Sequence, residues 1–171
     1  MAARLGFCRI SLPPAIEPAA ASQWAAIPEA LEISVAASGL EDHDLAMELL
    51  LCLGQALWHS LFPSEACAYW TLLSSEIAAG IDGEIDEQAT EAKRSLVASL
   101  SHARDEHLLE EYGRASFAGT AAEYVHSLWH DVTVREGPEH LPAAQLRRRL
   151  ELLARWFPPD RGYRLFPAQR A

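Results

Sequence analysis

The chain has 171 residues, 50% of them hydrophobic and 22% charged, and a formal net charge of −10. This composition excludes a disordered, collagen-like or low-complexity chain, and the length suits one domain with its own core. The charge argues against a surface made for nucleic acid or anionic membrane. No apolar run reaches the roughly 18–20 residues of a membrane span.

The residues leading to Pro13 and Pro14 lack the apolar stretch of a secretory signal. Cys8, Cys52 and Cys67 are odd in number and have no C-x-x-C spacing. Disulfide-framework and zinc-ribbon readings therefore fail, and a reducing, cytoplasmic compartment is expected. Cys52 and Cys67 stand in apolar helical stretches, where a free cysteine serves as a small hydrophobe.

In chain order, residues 1–21 carry Pro13, Pro14 and Pro18 and read as an extended arm. Residues 22–37 read as a first helix, ended by Ser38-Gly39. Residues 41–62 are apolar nearly all round, as a central helix would be. Gly54 in their middle suggests close approach by another helix. Pro63 breaks the pattern, and a helix over 64–79 follows, with Cys67, Trp70, Leu73 and Ile77 on one face and Gly80 as its stop.

A long amphipathic helix is expected over 84–112, ended by Gly113, and another from Ser116 or Thr120 to Val132. Pro142 opens a last helix to Phe157 on a seam of Leu146, Leu150, Leu153 and Trp156. Tyr163, Leu165 and Phe166 make the C-terminal tail too apolar to hang free. The expected architecture is all-α: a compact bundle of five to six helices, with an arm over 1–21 and a single helical domain over 22–171. The tail packs on the body.

One constellation has ligand chemistry. On a helix Glu123, His126 and His130 fall at i, i+3 and i+7 and share a face. A carboxylate with two imidazoles suits Zn, Fe or Mn. Glu84, Glu87 and Glu91 repeat that spacing on the preceding helix, so Glu87 and Glu91 are candidate partners in the same metal set. Glu123-x-x-His126 has the form of half a di-iron carboxylate site, but the chain has no second Glu-x-x-His. Ser127 follows His126 where a metalloprotease needs its Glu, which rejects that class. The face opposite Ala122, Val125 and Trp129 equally suits plain solvation.

Charge is uneven: residues 1–134 hold 6 basic and 20 acidic side chains, whereas 135–171 hold 8 arginines and 4 acids. Arg147, Arg148 and Arg149, then Arg155, Arg161, Arg164 and Arg170, interleave with Trp156, Phe157, Tyr163 and Phe166. Arginine with stacking aromatics can hold single-stranded nucleic acid, but the acidic whole disfavours it. This end is expected to dock on the acidic body or to be solvated. Trp58, Trp129 and Trp156 read as core, and Trp24 as a possible partner contact. His59 reads as a core histidine with Gln55 as its partner.

No phosphate-binding loop and no nucleophile elbow is present, and no cofactor is specified. The leading expectation is a non-enzymatic soluble helical protein that acts by binding another protein or a second copy of itself. A metal-binding bundle or metal-dependent enzyme on Glu123, His126 and His130 is the second. A nucleic-acid-associated factor using the Arg-rich end is the third.

Overall fold

The computed structural model describes residues 1–17, 20–28, 30–99, 105–129, 137–159 and 165. The elements run α1 (Ala2–Leu5), β1 (Phe7–Ser11), β2 (Ser22–Ile27), β3 (Ala30–Val35), α2 (Asp42–His59), α3 (Pro63–Ala78), α4 (Glu87–Ser99), α5 (Glu106–His126) and α6 (Ala143–Trp156).

The all-α expectation is overturned by a three-stranded sheet of order β1-β3-β2. β1 runs parallel to β3, with Cys8 opposite Leu31 and Ile10 opposite Ile33. β2 runs antiparallel to β3, with Trp24 opposite Ile33. The residues expected as a first helix instead supply β2 and β3. The physical reason is a period of two: Leu31, Ile33 and Val35 are buried while Glu32 and Ser34 between them are partly exposed. β1 lies within the expected arm. Its Arg9 pairs with Glu32, and its Ser11 hydroxyl bonds that of Ser34 at 2.8 Å.

One core cluster joins Leu31, Ile33 and Val35 to Cys52 and Ala56 of α2. The other face of α2 meets α5 in the larger core, where Leu57 and Trp58 pack with Tyr69, Tyr112 and Phe117. Burial on two sides explains why α2 is apolar nearly all round. The innermost helix, however, is α5, which buries almost every residue from Tyr112 to Ala122. Many of these are Gly, Ala, Ser and Thr, so neighbouring backbones come close. A Cβ on Gly54 would lie 2.7 Å from the Cα and carbonyl oxygen of Ala118, the close approach expected of that glycine.

The expected long helix over 84–112 is two helices. Asp105 starts α5 by accepting from the backbone N–H groups of His107 and Leu108 at 2.9 and 3.3 Å. Gly113 ends nothing; it lies inside α5 against the rings of Trp70 and Trp58. α6 follows the expected bounds, with Pro142 as its N-cap. In α3 the buried residues are Tyr69, Leu73 and Glu76, while Cys67 is exposed and Cys52 buried.

Trp129 is 72% exposed rather than core. Trp24 leans on α2 and donates to Gln55 at 3.2 Å, leaving His59 exposed beside its ring. Leu165 packs against the larger core; the other tail residues named above lie outside the described residues. No single described helix is long and apolar enough to cross a membrane.

Candidate functional site

Beneath the site lies a buried ionic network. Arg149, the middle of three consecutive arginines, is fully buried. It reaches Glu84 at 2.7 and 2.9 Å, Glu76 at 2.5 and 3.1 Å, and the Ser116 hydroxyl at 2.8 Å. Lys93 donates to Glu84 at 3.0 Å and to the Gly83 carbonyl at 3.1 Å. The Tyr112 hydroxyl donates to Glu84 at 2.6 Å. Two cations and two carboxylates thus cancel in a region where an unpaired charge would be very costly.

Burial pushes the Glu84 carboxyl up, but Arg149 and Lys93 outweigh it and hold the group at about 2. Burial likewise opposes the Arg149 charge, yet Tyr69, Glu84 and Glu76 keep the guanidinium above its ordinary range. Tyr69, which bonds the hydroxyls of Ser116 and Thr120, is pushed by burial up to about 12.

Glu84 also forms part of the wall of a cleft of about 530 Å³. Four separate stretches of chain build it. The start of α2 supplies His43, Asp44, Met47 and Leu51; the approach to α4 supplies Glu84, Ile85, Asp86 and Glu87. The end of α5 supplies Gly119, Ala122, Glu123 and His126, and the approach to α6 supplies His140, Leu141 and Leu146. The α2 and α5 sets recur every three to four residues, the spacing of one helix face. The last stretch is held by backbone bonds from Glu84 N–H to the Glu139 carbonyl (3.1 Å) and from Leu141 N–H to the Glu84 carbonyl (3.0 Å). A Cβ on Gly83 would fall 2.0 Å from the His140 carbonyl oxygen, so this contact requires glycine.

Asp86 has two tasks. Its Oδ1 accepts from the Ala89 N–H at 2.8 Å and caps α4. Its Oδ2 is buried with no hydrogen-bond partner. That oxygen fits only because residue 119 is glycine: a Cβ there would be 2.0 Å from it. Burial pushes the Asp86 carboxyl up from its ordinary value.

Of the predicted metal set, Glu87, Glu123 and His126 line this one cleft. Glu91 does not; it is exposed further along α4. His130 lies outside the described residues. The His126 ring stands edge-on to His43 with centroids 6.1 Å apart. Among the described residues no three His, Cys, Asp or Glu side chains are grouped to hold a metal ion. Reading the sequence missed His43, Asp86 and His140, because each joins the cleft only through tertiary packing.

A second open surface is the outer edge of β1. α2 packs on β2 and β3, and Phe7, Ile10 and Leu12 are 67%, 50% and 52% exposed. No family model matches the chain, and no characterised protein or solved structure is significantly similar to it.

Proposed function

We propose that the chain is a non-enzymatic, cytoplasmic protein that binds another protein, and that a basic surface of that partner docks on the cleft. The observation that carries this reading is the cleft's make-up. Its described lining includes Asp44, Asp86 and Glu87 but no Lys or Arg, in a chain of net charge −10. Carboxylates gathered in a concave, partly apolar site attract cations and speed encounter with a basic partner. A second copy would bring the same negative charge, so the partner is a different chain. Three free cysteines support a reducing compartment.

The test is capture from a cell extract with three baits: the native chain, Asp44→Asn/Glu87→Gln, and Glu17→Gln/Asp82→Asn. The two variants lose equal charge, but the second pair lies off the cleft. Expected is a basic protein retained by the native and control baits, released by moderate salt, and several-fold weaker on Asp44→Asn/Glu87→Gln. Equal retention on all three baits overturns the reading.

A second reading is a divalent-metal site, in a binding protein or an enzyme, with Glu123, His126 and Glu87 as ligands and His130 as a further candidate. What favours it is that Glu87 and the Glu123/His126 pair, 36 residues or more apart in the chain, line one cleft. Stoichiometric Zn, Mn or Fe by elemental mass spectrometry, lost in Glu123→Ala/His126→Ala, is its expected result. No metal in the native protein removes it.

A further inference from the structure

We propose that the cleft receives a primary ammonium on an aliphatic chain, namely a lysine side chain of the partner. The ammonium lies against Asp86 and Glu87, and the methylenes lie against Met47, Leu141 and Leu146. This rests on the docking reading above and names the group that enters.

Three observations converge on it. The first is Asp86 Oδ2, buried at the Gly119 wall with no hydrogen-bond partner. A buried carboxylate oxygen left in that state costs free energy that a donor would recover. The second is that Asp86 offers only one oxygen, because Oδ1 is engaged by the Ala89 N–H. A guanidinium fork seeks both oxygens of one carboxylate, whereas an ammonium with three diverging donors suits single oxygens from several side chains. The third is size and lining. A cleft of about 530 Å³ with Met47, Leu51, Leu141 and Leu146 in its walls is much larger than an ion and its donors require. It lies in the range of organic-ligand sites, and its apolar walls can cover a lysine stem as its charged end finds carboxylates.

The test uses the full chain, ¹⁵N-labelled, titrated with hexylammonium chloride and followed by amide chemical shifts. Hexanol and sodium hexanoate are the length-matched neutral and anionic controls, hexylguanidinium the forked cation, and zinc chloride the metal alone. Expected are saturable shifts at residues 43–51, 84–87 and 119–126, with a dissociation constant of about 1 mM or tighter for hexylammonium. The other two cationic arms and both controls bind more weakly by about tenfold or more. Asp86→Asn keeps the capping oxygen of α4 and removes only the Oδ2 carboxylate charge, so it abolishes the shifts with the melting temperature nearly unchanged. Glu87→Gln, at an exposed position, weakens them. Equal binding of hexanol, preference for hexylguanidinium, or saturation by zinc alone each overturns the proposal. If hexylammonium fails while the Asp44→Asn/Glu87→Gln bait still loses a basic partner, the lysine inference falls and the docking reading stands.

Discussion

The guanidinium of Arg149 and the carboxylate of Glu84 meet at 2.7 Å with no exposed surface on either side chain. They are 65 residues apart in the chain, so this contact fixes α6 against the segment that opens α4. Removing one member of such a pair strands the other in a region of low polarisability. Arg149→Met is predicted to lower unfolding free energy by about 3–5 kcal/mol. Its neighbour Arg148 is exposed, and Arg148→Met is expected to change stability by no more than about 0.5 kcal/mol. Urea denaturation of both variants checks the contrast.

The same pair sets an acid limb. The Glu84 carboxyl is held at about 2 against an ordinary value of 4.5. A group depressed on folding adds stability that is fully present above 4.5 and is lost as pH falls through 2. Glu84→Gln is therefore less stable than the native protein at neutral pH, and the gap closes between pH 4.5 and 2. Asp86 has the opposite sign, since burial raises its carboxyl above 3.8; it disfavours the fold once ionised, and Asp86→Asn removes that contribution. Thermal melts of the three proteins from pH 7 to pH 2 separate the two effects. A constant gap between native and Glu84→Gln throughout would contradict the assignment.

Much of the helical frame was legible in the sequence, because α2, α3 and α6 are long, periodic and bounded by Pro63, Gly80 and Pro142. The sheet was not. Its strands are only five or six residues long, and the alternation of Leu31, Ile33 and Val35 is flanked by alanines that suit a helix equally. The Glu123/His126 pair was readable from i, i+3 spacing, and Glu87 joins it at the head of α4. Glu91 misses because one helical turn carries it about 6 Å further along the axis. Arg149 was invisible as a core residue: it stands between Arg147 and Arg148, and only Glu76 and Glu84, brought from α3 and the α4 approach, explain its burial.

Close helix approach gives a further prediction. A methyl on Gly54 meets Ala118 backbone, which cannot swing aside, at 2.7 Å. Gly54→Ala is expected to destabilise by about 1–3 kcal/mol despite the gain in helix propensity. An unchanged or raised melting temperature would show that α2 and α5 are less tightly apposed.

Gly119→Ala tests the wall of the cleft differently. Its new methyl collides with the far end of the Asp86 side chain, which can rotate away. The expected outcome is loss of the cap on α4, about 1 kcal/mol, together with loss of hexylammonium shifts. Retention of both would mean that Asp86 accommodates the methyl without leaving its place.

The most direct measurement is where a captured partner touches this chain, read by hydrogen–deuterium exchange of the chain alone and in complex. Docking on the cleft predicts slowed exchange in residues 42–51, 84–87, 119–126 and 137–146. Slowed exchange confined to residues 7–12, the open β1 edge with Phe7, Ile10 and Leu12, would contradict it and move the working surface to the sheet.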